Sequence, residues 1–282
     1  MGLSQQGQAN KPCQDQEDQQ HSTQRRDAQG SSGGHRTAYF TTTSTNQARY
    51  TFRNEELVNH LMEEKQMLDS RRQIDLRERQ KALLIKANCG DWESIFVRIG
   101  SSRIEIERFP CQLSVIEKSG LIEAQLTYLS SGKVARSAFR DIPDSMQIQA
   151  AGHWSLGPQF LTQEFWTTEF CLCGPHERRR AVVRQRRDWL ESLVVIVEWR
   201  AGYACPPLFP GREGSLCLEE SRGDATSTFS VMGEGLPLGL GLTISHTPEE
   251  QSTTWSWDSA SITRRYGSDR QLIRESVMTS PS

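Results

Sequence analysis

Apolar and polar residues alternate with a period of two through much of the chain beyond residue 90. The clearest stretch is 122–128, where four apolar residues alternate with Glu123, Gln125 and Thr127. Such alternation is typical of β-strands that bury one face. Turn residues interrupt the pattern about every eight to twelve positions, the spacing of an antiparallel barrel or sandwich. Further strands are predicted at 95–99, 104–107, 113–115, 134–140, 145–150, 165–172, 178–185 and 190–200.

A different pattern precedes the strands and predicts a helical lead-in at 54–88. Asn54 is suited to cap a helix, and two glutamates follow it in the first turn. Apolar residues recur at helical spacing up to Ala87, and Asn88 and Gly90 then provide a stop. Because no helical pattern separates the later strands, a parallel α/β sheet is not expected. The fold class predicted is mainly β.

The remaining segments divide the chain further. Residues 1–50 are rich in Gln, Ser, Thr and Gly, and they predict a disordered tail because they offer almost no apolar surface to bury. The barrel is placed at 89–203. Prolines after Cys205 mark a boundary, and 204–266 is predicted as a β-rich extension or a reduced second unit. Residues 267–282 are predicted to be frayed.

Two motifs carry a resemblance to a known group. Gly90-Asp91-Trp92 opens the strand series, and 153–158 reads His-Trp-Ser-Leu-Gly-Pro. Together with the alternation, these stretches resemble a calycin-like family of unknown function found mainly in cyanobacteria. The resemblance spans roughly residues 80–200. It implies an up-and-down antiparallel β-barrel, like that of the lipocalins, with a central cavity.

The resemblance also implies structural roles for three residues. In many calycins a Gly-x-Trp opens the first strand, and an arginine from the last strand covers the tryptophan at the closed end of the barrel. Gly90 and Trp92 match the first element, and Arg200 is the candidate for the second. A guanidinium can stack on an indole while it bonds nearby carbonyls. Lipocalin-like phycobiliprotein chromophore lyases are similar in architecture, and what this similarity implies is limited to the barrel shape and a tetrapyrrole context.

Composition narrows the classes of partner and the cellular compartment that are expected. The 282 residues include 33 basic and 35 acidic ones, so a net charge of −2 gives no case for nucleic acid. Seven cysteines form no regular framework, and the start of the chain lacks the apolar region of a secretory signal. No apolar run reaches the roughly 18 residues of a membrane span. We therefore expect free thiols in the cytoplasm.

The candidate ligand site lies in the second half of the barrel. Trp154, Trp166 and Phe170 either fill a core or line a small cavity, and aromatics usually fill cores. Arg180 and Arg184 belong to an arginine-rich stretch that is either a solvated outer strand face or a rim that binds ligand carboxylates. We take the three aromatics and the two arginines as candidate ligand-binding residues.

No catalytic or metal-binding residue is predicted. Cys171 and Cys173, followed by His176, give a C-x-C-x-x-H spacing, but zinc would need a fourth ligand, so the favoured interpretation is semi-buried thiols. His153 lacks a recognisable nucleophile partner. The functional hypothesis is a non-enzymatic binding protein for an apolar or amphipathic small molecule, with a bilin or other tetrapyrrole of a photosynthetic cell as the candidate that the resemblance suggests. The alternatives are a chromophore lyase-like enzyme acting on a protein client, and an assembly factor with a filled barrel.

Overall fold

A computed structural model describes residues 44–162, 164–187, 189–206 and 214–274. The chain divides into two compact units after Asn59, and the second unit holds every strand of the described residues. The described residues form one helix and fourteen strands: α1 Ser44–Asn88, β1 Gly90–Ile99, β2 Glu105–Lys118, β3 Leu121–Tyr128, β4 Val134–Phe139, β5 Met146–Ile148, β6 Trp154–Leu156, β7 Trp166–Cys173, β8 Glu177–Arg186, β9 Trp189–Arg200, β10 Leu216–Arg222, β11 Thr226–Gly233, β12 Leu236–His246, β13 Glu250–Trp257 and β14 Ala260–Gly267.

The first nine strands form one antiparallel sheet in the order β4-β3-β2-β1-β9-β8-β7-β6-β5. This confirms the mainly β fold and its up-and-down connections, and β1 pairs with β9 as a barrel requires. The sheet is curled into a half-barrel rather than closed by hydrogen bonds, because β4 and β5 are its two edges. β5 has only three residues, and Pro143 in the link before it cannot donate a backbone bond.

Chain connectivity explains why the sheet curls. Laid flat, nine strands would place β4 and β5 roughly 38 Å apart, since neighbouring strands lie about 4.8 Å from each other. The link from Phe139 to Met146 can span at most roughly 25 Å when fully extended. The two edges are therefore held closer together than a flat sheet allows, and the inner face becomes concave.

The other face of the curled sheet is covered by a second sheet, β10 to β14, which is a simple five-stranded meander. The two sheets share one apolar core, to which Val97, Phe170 and Val195 contribute from the first sheet and Phe229 and Trp255 from the second. All five side chains are buried almost completely. The residues predicted as a β-rich extension thus contain this meander, which packs on the half-barrel instead of lengthening it.

The first and last of the described residues differ from the sequence expectation. The helix begins at Ser44, so residues 44–50 are helical and Asn54 lies inside the helix instead of capping it. No Gly or Pro occurs between Ser44 and Asn54 to force a later start. The rest of the predicted tail, residues 1–43, lies outside the described residues.

The segment after β14 is bonded to the domain as far as the structure describes it. The backbone N–H of Leu161 donates to the carbonyl of Arg270, and that of Leu272 donates to Gln159. The predicted fraying therefore does not apply to 268–274, because these residues pair with the loop before β7. Residues 275–282 lie outside the described part. No helix in the described chain is long and apolar enough to cross a membrane.

Candidate functional site

Trp92, at the start of β1, is stacked between two arginines. The guanidinium carbon of Arg178 lies 3.8 Å from the ring centroid, and that of Arg200 lies 4.2 Å from it. The contact predicted between Trp92 and Arg200 is therefore present, and Arg200 also donates to the carbonyl of Cys89. Gly90 has a φ of 131°, and a Cβ there would overlap the Arg200 guanidinium. The Gly-x-Trp motif is thus explained by the space that this arginine occupies.

A buried network of ion pairs lies beside this stack. Arg178 is 2% exposed and Glu198 is 0% exposed, and their charged atoms lie 2.8 Å apart. The contact lacks hydrogen-bond geometry, so Nη2 of Arg178 and Oε2 of Glu198 form no hydrogen bond within the described residues. Arg180 lies 2.8 Å from the other oxygen of Glu198 and also pairs with Glu169. Burial would lower the pKa of Arg180, but the two carboxylates raise it above its ordinary value.

Asn88, the last residue of α1, connects the helix to this network. Its carbonyl accepts a 3.0 Å bond from the Trp92 indole, and its side-chain oxygen accepts 3.0 Å bonds from Trp154 and from Arg178. Its amide nitrogen donates to the carbonyl of Gly152 at 3.4 Å. A buried side chain with this many partners fixes the end of the helix against β1, β6 and β8.

The concave face of the half-barrel contains an apolar cavity of about 300 Å³, which we call the inner cavity. It is bounded by the end of α1, by β2 and β3, and by both edge strands, β4 and β5. Arg178, Arg180 and Glu169 lie at its base. Arg136, on the edge strand β4, bonds Gln125 on the opposite face of the sheet. Its apolar wall includes Leu84, Leu113, Ile122, Leu126, Met146 and Trp154.

Two of the five predicted ligand-binding residues line the inner cavity. These are Trp154 and Arg180, and the Arg180 guanidinium carbon lies 5.7 Å from the Trp154 ring centroid. Arg184 is on the same face of β8 but is 53% exposed, pairs with Glu191, and is not part of the cavity lining. Neither interpretation of the arginine-rich stretch holds along its whole length, because Arg178 is buried at the cavity base.

The other two aromatics lie on the opposite face of the sheet. Phe170 is fully buried between the two sheets, and Trp166 packs with Tyr266. Successive residues of β7 point to opposite faces, so Phe170 and Trp166 share one face while Glu169 and Cys171 share the other. The structure therefore does not bring Phe170 and Trp166 to the inner cavity.

Several residues of the inner cavity and of the ion-pair network beside it are absent from the sequence prediction. Asn88 is predicted only as a helix stop, and Arg136 and Glu198 are not predicted as site residues. A buried charge in the middle of an apolar strand was the available signal for Glu198, since such a residue needs a partner. The sequence contained no comparable signal for Arg136, which sits on an exposed edge strand.

A pair of thiols lies next to Asn88. The Sγ atoms of Cys171 and Cys173 are 3.7 Å apart, and each lies within 3.8 Å of the Asn88 side-chain oxygen. Nδ1 of His153 accepts a 2.9 Å bond from the Cys173 backbone N–H. His176, which the C-x-C-x-x-H spacing had suggested as a neighbour, stacks on Tyr203 instead. No metal-binding cluster of His, Cys, Asp or Glu occurs among the described residues.

The two thiols have opposite pKa shifts. A hydrogen bond from Cys171 lowers the pKa of Cys173 to about 6, against burial and with help from His153 and Arg178. Burial raises the pKa of Cys171 well above its ordinary value. Cys173 is thus the thiol that ionises first, and Cys171 stays protonated and donates to it.

A second and larger groove, of about 950 Å³, lies between α1, the residues around β5, and β14. Its charged side chains are already engaged: Arg77 pairs with Asp144, and Arg265 pairs with Glu250. The inner cavity is the more apolar of the two, so it is the stronger candidate for an apolar ligand.

Comparison with known proteins supports the fold. No protein-family model matches the sequence, and no curated protein matches it. A solved structure from Nostoc punctiforme, a protein of unknown function in the DUF3598 family, is similar with a TM-score of 0.50 and 16% identity over 67% of this chain and 94% of that one. The chain therefore shares its curled β-sheet fold with a protein from a cyanobacterial family of unknown function.

A second solved structure, kievitone hydratase from Nectria haematococca, was also found. It has a TM-score of 0.19 and 8% identity over 66% of this chain and 86% of that one. This similarity is too low to carry an argument about fold or activity.

Glu198→Gln should destabilise the protein far more than Glu191→Gln. Both glutamates lie on β9 and pair with arginines of β8, but only Glu198 is buried. Its loss leaves Arg178 without a carboxylate and should lower the free energy of unfolding by about 3–5 kcal/mol. The exposed pair should contribute about 1 kcal/mol or less. Denaturant unfolding of both variants measures the difference, and equal losses would contradict the buried network.

Cys173 should react with iodoacetamide in slightly acidic solution. Its pKa of about 6 means that the reactive thiolate is present above pH 6 and is lost as the pH falls below it. The exposed Cys205 is the internal control, since burial raises its pKa and its rate should still increase above pH 9. Peptide mass spectrometry resolves the two sites. Parallel pH profiles for Cys173 and Cys205 would show that Cys173 is not activated.

Proposed function

We propose that this protein is a non-enzymatic, calycin-like binding protein that takes a small amphipathic carboxylate into the inner cavity. The observation that carries the proposal is an apolar cavity on the concave face of the half-barrel with Arg180 at its base. Small-molecule sites are typically concave and apolar, with a few polar groups that orient the ligand. The curled sheet and the Trp92–Arg200 stack support the calycin comparison.

The polar group that orients the ligand is Arg180. Its guanidinium lines the cavity and pairs with the buried Glu198 and with Glu169, whose side chain is 23% exposed. A ligand carboxylate can therefore take the place of Glu169 on Arg180 while the pair with Glu198 stays intact. Arg136 is not this group, because it bonds Gln125 at 3.0 Å on the opposite face of the sheet.

The volume of the cavity indicates the ligand class. About 300 Å³ is at the lower end of the range for small-molecule sites, which extends to roughly 1,000 Å³. A single acyl chain fits this space better than a linear tetrapyrrole, whose four rings would need the cavity to widen. We therefore favour a medium-chain fatty acid or a molecule of similar shape, and biliverdin becomes the probe for the pigment hypothesis.

The thiols agree with the setting expected from the sequence. All six cysteines in the described residues are free, and we place the protein in a reducing compartment such as the cytoplasm on that basis.

Filling the cavity should abolish binding. Ala124 lines it from β3, so Ala124→Phe places a ring in the space that the acyl chain would use. Ala138 is exposed on β4 and is not part of the lining, so Ala138→Phe is the matched control. Isothermal titration with dodecanoate should give saturable binding for wild type and Ala138→Phe and none for Ala124→Phe. Equal affinities for the two variants would place the ligand elsewhere.

Removing the carboxylate that competes for Arg180 should strengthen binding of the anion only. Glu169→Gln should tighten dodecanoate binding about five- to tenfold in isothermal titration, as expected when one charge-assisted hydrogen bond no longer has to replace an internal ion pair. Glu191→Gln removes the same charge from a residue outside the lining and should change little. Dodecanol, which has no charge, should bind both variants alike. Absence of saturable binding by dodecanoate and biliverdin would favour the assembly-factor hypothesis.

A further inference from the structure

The Cys171–Cys173 pair is a chemical feature that the proposed binding function does not use. One residue separates the two cysteines on β7, so the alternation of the strand places both side chains on the same face. Their Sγ atoms lie 3.7 Å apart, which is van der Waals contact. Neither thiol is part of the cavity lining, so the pair can be assessed independently of ligand binding.

The surroundings of the two thiols differ. Cys171 is completely buried, whereas Cys173 is partly exposed. Cys173 lies 3.4 Å from the carbonyl of Gly152 and also faces His153 and the buried charge of Arg178. A positively charged, partly exposed setting is typical of reactive cysteines, and complete burial is typical of inert ones. The pair thus combines a thiol that solvent can reach with one that only its neighbour can reach.

We propose that Cys171 and Cys173 form a redox-active dithiol, in which Cys173 reacts first with a low-molecular-weight disulfide and Cys171 resolves the product. The Cys173 thiolate attacks one sulfur of the small disulfide, forms a mixed disulfide and releases one thiolate. Cys171 then gives up its proton and attacks Sγ of Cys173. That step closes the Cys171–Cys173 bond and releases the second small thiol. Overall, two protein thiols are oxidised and one small disulfide is reduced to two thiols.

Closing the bond requires β7 to bend locally. Residues two apart in a regular strand have Cα atoms roughly 6.6 Å apart, and their Cβ atoms are separated by about the same distance. A disulfide needs Cβ atoms about 3.5–4.5 Å apart, which rotation about χ1 cannot supply. Cys173 is the last residue of β7, before Gly174 and Pro175, so the bend falls at the end of the strand. A bridge strained in this way is readily reduced, so the pair is suited to reversible exchange and not to permanent cross-linking.

The sequence allows a direct test on the full chain. Trypsin cleavage after Arg140 and Arg178 releases the peptide 141–178, in which Cys171 and Cys173 are the only cysteines. The folded protein is treated with glutathione disulfide and quenched with acid, and free thiols are then alkylated with N-ethylmaleimide under denaturing conditions. We expect this peptide to carry no maleimide and to have the mass of the unmodified dithiol peptide less two hydrogens. Reduced protein should give the same peptide with two maleimides.

Single variants identify the order of attack. Cys171→Ser should retain a stable glutathione adduct on Cys173, because the resolving thiol is missing. Cys173→Ser should leave Cys171 available to maleimide after denaturation, with at least about tenfold less glutathione attached. Circular dichroism confirms that each variant is folded. If either variant fails to fold, the wild-type peptide alone decides the test.

Two results would overturn the proposal. One is a wild-type peptide that carries two maleimides while the exposed Cys205 and Cys217 of the same molecules carry glutathione. The other is a wild-type peptide in which the glutathione adduct persists and the bridge never closes. Disulfide formation about tenfold slower in guanidinium chloride than in the folded protein would support the role of the folded geometry. Equal rates in the two conditions would contradict that role.

Discussion

Burial of the Arg178 guanidinium is the constraint on which the rest of this structure depends. A charge that is 2% exposed is tolerated only when other groups replace the water it has lost. Trp92 supplies a ring face, Glu198 a carboxylate and Asn88 a carbonyl and an amide oxygen. These partners come from β1, β9 and α1, so satisfying one arginine fixes the helix and the central strands of the sheet together.

The inner cavity follows from this constraint and from the connectivity of the sheet. The short link between β4 and β5 makes the sheet curl, and Asn88 positions the end of α1 over the concave face. The charges at the cavity base are already paired within the protein, so the base offers a ligand no unpaired charge. A ligand anion therefore has to take the place of Glu169, the partly exposed partner of Arg180. The ligand's polar head is expected at Arg180 and its apolar part against the wall formed by β2, β3 and β4.

The strands, and part of the site, could be predicted from the sequence because alternation depends only on local chain geometry. The turn-bounded runs matched β4, β7, β8 and β9 closely, and Trp92 and Arg200 do stack. Alternation does not reveal which face of a strand lies inside the curl. In β7 the aromatic face, with Phe170, is covered by the second sheet, while the more polar face, with Glu169, points inward. That choice depends on a sheet formed more than forty residues later in the chain.

The most direct test of this account is a crystal structure of the protein with 12-bromododecanoate, because anomalous scattering locates the bromine unambiguously. The account predicts a bromine peak inside the inner cavity, near the edge strand β4, with the carboxylate within about 3 Å of the Arg180 guanidinium. Two results would contradict it. One is a bromine in the larger groove between α1 and β14, and the other is the reversed orientation, with the bromine beside Arg180 and the carboxylate at β4.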